Sequence, residues 1–216
     1  MYNPDSFRVD DPERMQALVR EHPLATLVMQ GADGPDATHV PLLLVPDEER
    51  WLLRGHVARA NPAWRHAVDD GCPALAVFHG PQAYVSPGWY PTKKDDPRVV
   101  PTWNYAVVHA HGTLRAIDDP TWLRDLVAAL TDDHESARSE PWAVSDAPDD
   151  YIEKMLHAVV GLELVVERLE GKWKMSQNRA DVDRDGVVTG LRAEGGDEGA
   201  RVAGLIADAR KVSGNG

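Results

Sequence analysis

The sequence predicts a mostly β, antiparallel barrel or sandwich with a few inserted helices (α+β). Two observations carry this reading. Short apolar or alternating runs recur at close spacing, separated by clusters of Gly, Pro, Asn and Asp, the pattern of antiparallel sheets. Neither an internal repeat nor a heptad run interrupts them. At 216 residues, 43% hydrophobic and 27% charged, the chain is long enough to bury a substantial core. One domain over 1–216 is the expected organisation, with about 180–216 as a C-terminal helical extension.

The elements follow in order. Asp11-Pro12 opens a short helix with Met15, Leu18 and Val19 at helical spacing, ending before Pro23. Leu24 to Met29 reads as a strand and Gly31 to Pro35 as a turn. Strands follow over Val40–Val45 and Trp51–Val57, with a loop over 46–49 between them. Asn61-Pro62 caps a short helix carrying Trp64 and Val68. Ala74 to His79 reads as a buried strand, turned by Gly80-Pro81 into Ala83–Ser86. Four prolines make 87–101 a surface loop before a long strand over Trp103–Ile117. Helices are expected from Asp119-Pro120 to about Leu130 and over about 149–157. Alternation over Gly161–Met175 gives the last strand, and two helical pieces near 184–193 and 198–211 are split by Gly195-Gly196.

The formal charge is −12, which argues against coating nucleic acid or an anionic membrane by bulk attraction. The charge is uneven: residues 118–150 carry −8, whereas 51–117 carry +3 and 151–179 carry +1. The mildly basic stretches hold most of the aromatic and amide residues, which hints at an anionic ligand. One cysteine, Cys72, excludes an internal disulfide framework and a thiolate metal cage. A polar, acidic start and the lack of a long apolar run point to a protein of the cytoplasm with no membrane partner.

Several runs carry chemistry. In Gly55–Pro62 a strand passes into a helix start, where Arg59 and free N–H groups suit a phosphate and Asn61 is both cap and donor; an ordinary capped helix with a solvated arginine is the competing reading. Tyr84 and Ser86 share a strand face, followed by Trp89 and Tyr90, an aromatic wall with a hydroxyl or plain packing. His109 and His111 also share a face, but no carboxylate or third histidine follows at matching spacing, so no metal is expected. Gly171–Asn178 concentrates two of six lysines with Trp, Ser, Gln and Asn. Such a convergence of cations and amides suits a phosphate or a heteroaromatic ring with carbonyl edges. Asp181-x-Asp183-x-Asp185-Gly186 imitates a calcium loop, yet Arg192 stands where a bidentate Glu is required. These aspartates read as helix-start acids. Nucleotide P-loop, Gly-x-Gly-x-x-Gly and Gly-x-Ser-x-Gly fingerprints are absent from the sequence.

Taken in chain order, His56–Pro62, Gly80–Pro87, Val100–Tyr105 and Lys172–Asn178 resemble the PaiB-like FMN-binding negative transcriptional regulator family, a branch of the FMN-binding split-barrel superfamily. The resemblance spans nearly the whole chain. It implies a homodimeric split β-barrel that pairs with itself and holds FMN at the subunit interface. The phosphate would fall to His56, Arg59 and Asn61. The flavin ring and its edge would fall to Tyr84, Ser86, Trp103, Asn104, Lys174, Gln177 and Asn178. No catalytic acid or nucleophile is required, because the flavin carries any oxidoreductase chemistry. The helices near 119–130 and 149–157 lie in or beside the most acidic stretch, so repression is expected to be indirect or redox-linked rather than through direct DNA contact. Two other readings stay open: a direct DNA-binding repressor, and a haem-binding or haem-degrading split barrel using His56, His79, His109 or His111.

Overall fold

The computed structural model describes residues 1–46 and 50–213; the expected loop residues 47–49 lie outside them. Among the described residues, eight strands and five α-helices follow in chain order. They are β1 (Arg8–Val9), α1 (Pro12–Glu21), β2 (Leu24–Gly31), β3 (Gly34–Pro41), β4 (Leu43–Pro46), β5 (Trp51–Ala58), β6 (Cys72–Val85) and β7 (Thr102–Ile117), then α2 (Pro120–Glu135), α3 (Asp149–His157), β8 (Val159–Lys174), α4 (Asp181–Glu194) and α5 (Asp197–Ser213). Among the described residues no helix is long and apolar enough to cross a membrane. The chain forms two compact units, whose boundaries cut through β6, β7 and β8.

The larger unit comprises Val19–Phe78 and His109–Leu169. Its strand order is β3-β2-β6-β7-β8-β5-β4, and every register determined in it is antiparallel. Leu42 alone separates β3, at one edge, from β4, at the other. A one-residue link cannot span an open seven-strand sheet, because neighbouring strands are about 4.8 Å apart. The sheet therefore curls until its edges approach. Gly55 marks that approach: a Cβ there would lie 2.5 Å from the Pro41 carbonyl oxygen. Period-two alternation turns Ala25, Leu27, Met29, Leu53, Val57, Phe78 and Leu164 inward, all buried. Outside, Leu123 of α2 packs with Ile152 and Leu156 of α3 and is flanked by Trp122 and Val159.

The smaller unit comprises Met1–Leu18, His79–Val108 and Glu170–Gly216. Here β1 pairs with Lys172 and Gly171 of β8. The loop after β6 is tied to α4: the Thr92 backbone N–H and hydroxyl both donate to the buried Asp183 carboxylate, at 3.1 and 2.7 Å. Gly186 and Gly190, one helical turn apart, form the groove that receives Trp89. A Cβ on Gly190 would sit 2.3 Å from the indole. A glycine inside a helix costs about 1 kcal/mol, and this close packing offsets it. Asp181 and Asp183 are thus first-turn acids of α4, as the sequence reading had them, and Asp183 is also the anchor of the loop.

Two expectations are corrected. No turn occurs at Gly80-Pro81, because β6 runs unbroken over 72–85. Gly80 instead permits close contact, since a Cβ there would meet Leu18 at 2.7 Å and Ala106 at 3.2 Å. The strand expected from Val40 begins at Gly34, forming a tight hairpin in which Gly31 pairs Gly34. Its polar residues Asp36, Thr38 and His39 escape a hydrophobic pattern search.

The tightest strand approach offers a test. A Cβ on Gly112 of β7 would lie 1.9 Å from the Val165 carbonyl oxygen of β8, a rigid backbone neighbour. Gly112→Ala should therefore cost about 3 kcal/mol in urea unfolding; a change below about 0.5 kcal/mol would contradict this packing.

Candidate functional site

The residues expected to bind a ligand fall into two groups. In the smaller unit, the ends of β6, β7 and β8 bring most of theirs together. Tyr84 and Trp103 meet edge to face, with ring centroids 6.3 Å apart, and both are about half exposed, at 46% and 52%. An exposed aromatic pair is unusual for packing and suits stacking on a flat ligand. The Lys174 ammonium donates to the Thr102 hydroxyl at 2.6 Å and has no carboxylate partner among the described residues. Asn104 is fully buried, and its side-chain amide donates to the Ser176 hydroxyl at 2.9 Å.

The chain turns sharply at this point. Ser176 is buried at φ 59°, a left-handed conformation that disfavours side chains and collects at functional sites. Gln177 stabilises the bend: its Oε1 accepts from the Met175 N–H and its Nε2 donates to the Trp173 carbonyl, each at 2.6 Å. Ser86 accepts from the Gly88 N–H and caps a short 3-10 turn over Pro87–Trp89. Asn104, Gln177 and Ser86 are thus engaged in internal hydrogen bonds, whereas Tyr84, Trp103 and Asn178 are exposed and Lys174 is held by a hydroxyl.

In the larger unit the phosphate group expected at His56, Arg59 and Asn61 is differently disposed. Arg59 donates through Nη1 and Nη2 to both oxygens of Asp118, at 2.7 and 2.6 Å, and through Nε and Nη2 to the carbonyls of His157 and Val159. Hydrogen bonding to Arg59 holds the Asp118 carboxyl below its ordinary range, and the same bond raises the guanidinium pKa. Asn61 caps the 3-10 turn Pro62–Ala67 by accepting from the Ala63 N–H, and donates to the Thr38 hydroxyl. His56 lies on the outer side of β5 beside α2, lining a cavity with Val127 and Leu130. Burial lowers its pKa, favouring the neutral ring. Arg59 and Asn61 engage separate partners, and the Arg59 guanidinium is already paired with Asp118. The donor set of the smaller unit would suit an anionic, flat cofactor; at the Arg59 corner the guanidinium is already paired with Asp118.

Sequence reasoning missed Thr102, Ser176 and Asp118 as partners of the expected residues. Asp118 had only one signal, its place just before the Asp119 cap of α2. Of the other histidines, His109 and His111 lie side by side on β7, ring centroids 6.1 Å apart.

The curled antiparallel sheet of the larger unit is that of a split barrel. Residues 1–168 match the family described as "Putative FMN-binding domain", and the chain belongs to it, with FMN as the family's cofactor. It is 32% identical over 213 residues to the protease synthase and sporulation protein PAI 2 of Bacillus subtilis, covering 98% of this chain and 99% of that one. An uncharacterized protein of Emericella nidulans is 33% identical over 227 residues, covering 89% and 90% of the two chains. Among solved structures, the FAD and heme binding protein of Mycobacterium smegmatis aligns with TM-score 0.59 at 22% identity, over 88% of this chain and 80% of that one. The flavocytochrome Anf3 of Azotobacter vinelandii aligns with TM-score 0.56 at 14% identity, over 77% and 69%. At these identities the structural likeness concerns the fold.

Two substitutions test the division of labour. Asn104→Ala leaves the Ser176 hydroxyl buried without its partner and should cost about 1–3 kcal/mol in denaturant unfolding; an unchanged midpoint would contradict the platform. For Arg59 and Asp118 the sign is set by linkage. The depressed Asp118 carboxyl contributes stability above its unfolded pKa and loses it as pH falls through the lower folded value. Asp118→Asn should therefore lower the melting temperature at neutral pH and narrow the gap to wild type on acidification, with FMN uptake retained. A difference from wild type that grows toward low pH would refute this role.

Proposed function

We propose that the protein is an FMN-binding flavoprotein, working as a homodimer in the cytoplasm, that couples flavin redox state to gene regulation without gripping DNA itself. The observation that carries this reading is the Lys174 ammonium, held by the Thr102 hydroxyl with no carboxylate partner among the described residues, while the adjoining residue Trp103 forms an exposed aromatic pair with Tyr84. Lys174, positioned by Thr102, balances negative charge on the cofactor. Tyr84 and Trp103 give its ring an aromatic wall, and Asn178 offers a free amide. The Asn104–Ser176 bond and the Gln177 brace hold these groups rigid, which lowers the ordering cost of binding. When bound, FMN supplies hydride and single-electron transfer.

The regulatory half of the proposal draws on the likeness to the Bacillus protein named for protease synthase and sporulation. The acidity of α2 and its flanks, −8 over 118–150, favours action through a partner or a redox signal over contact with phosphates. Cytoplasmic placement draws on the single cysteine, whose thiol burial holds in its protonated form.

Adding FMN to the purified chain should give flavin absorption bands in the protein fraction and a dimer by light scattering. Lys174→Ala should weaken FMN by about ten- to a hundredfold. Unchanged affinity in that variant, or a Soret band in place of flavin bands, would overturn the reading.

A further inference from the structure

The smaller unit holds a guanidinium that the residues assigned to the flavin so far do not include. Arg179 lies over the ring of Tyr90, its Cζ 4.8 Å from the centroid, within cation–π range. The residue is partly buried, and among the described residues no carboxylate or carbonyl accepts from its side chain. A ring covers one face of a guanidinium and occupies none of its five N–H donors.

Two features fix Arg179 in place. Tyr90 is buried, at 2% exposure, so its ring is a firm support. The Arg179 backbone N–H donates to the Ser176 carbonyl at 3.0 Å, and the Ser176 hydroxyl accepts from Asn104, the residue after Trp103. Arg179 is thereby tied to the strand end that carries the Tyr84–Trp103 pair. The charges around it in sequence are matched elsewhere: Arg184 pairs with Asp181, the Asp183 carboxylate accepts from Thr92, and Arg98 pairs with Asp96. In the larger unit, Arg59 already commits two donors to Asp118. A phosphate is best recognised by a guanidinium fork, and a fork held by a ring loses little freedom when it binds.

We propose that Arg179 receives the terminal phosphate of FMN, with the Tyr90 ring holding the guanidinium in place. The role presupposes flavin binding at Lys174 and extends it: Lys174 is left to the ring edge, and the phosphate role that the resemblance implied for Arg59 passes to Arg179. Arg179 is then a specificity residue that selects a phosphorylated flavin over riboflavin.

The test is a titration of the full chain with FMN and with riboflavin, read by quenching of flavin fluorescence. Wild type should bind FMN at least about tenfold more tightly than riboflavin. Arg179→Ala should lose about ten- to a hundredfold in FMN affinity and leave riboflavin within about twofold, which removes the preference. Arg179→Lys, which keeps the charge without the fork, should restore it in part. Arg179→Gln should behave as Arg179→Ala, so the question stays decidable if one variant does not fold. The proposal is overturned if wild type shows no preference, if the Ala and Gln variants keep it, or if both flavins weaken alike, as a merely structural role would require. Loss of the preference in Arg59→Ala instead would also overturn it. Wild type binding neither flavin would sink the flavin reading and this role together, whereas an unchanged preference in Arg179→Ala sinks this role alone.

Discussion

Closure through Leu42 is the constraint on which the larger unit depends. One residue joins strands at opposite edges of the order, and only a curled sheet permits that. Leu42 is buried, and its N–H donates to the Pro23 carbonyl at 2.9 Å. The connection is therefore satisfied on its polar and apolar sides together. The glycines at closest approach follow from the same demand: Gly55 admits Pro41, Gly112 admits Val165, and Gly161 admits the Trp122 ring. Each stands where curvature or a covering helix brings backbone too near for a side chain.

The functional platform uses a different device. Its strand ends are fixed by a buried amide–hydroxyl bond and by a glutamine folded back on its own backbone. Polar residues at a candidate site thus divide into those that build and those that present. A lysine with only a hydroxyl partner is the presented charge. At the Arg59 corner the division runs the other way, because the arginine is consumed by Asp118 and two carbonyls. A ligand would have to displace a bidentate ion pair there.

The sequence made much of the fold readable because its signals were local. Asp119 before Pro120, Asn61 before Pro62 and the Gly195-Gly196 break all sit where helices start or stop. The failures were of two kinds. Gly80-Pro81 looks like a turn, but Gly80 answers to Leu18 and Ala106, contacts invisible to local pattern. The polar first half of β3 lacks the apolar alternation that marks a half-buried strand. At the candidate site, Tyr84 meets Trp103, Asn104 meets Ser176 and Lys174 meets Thr102, residues drawn from the stretches that residue type had singled out. Which of them are spent internally depends on partners such as Ser176, Thr102 and Asp118, and partnership across the chain leaves no trace in spacing. His56 shows this most clearly: the family resemblance implies a phosphate ligand there, and the residue lines a cavity with Val127, Leu130, Thr131 and Glu135.

Flavin binding at Lys174 is the proposed core of the protein's function. Its most direct test is an FMN titration of the wild-type chain and of Lys174→Ala, read by quenching of flavin fluorescence. Wild type should bind saturably at one FMN per chain, and the variant should lose about ten- to a hundredfold in affinity. Equal affinity for the two proteins would contradict it.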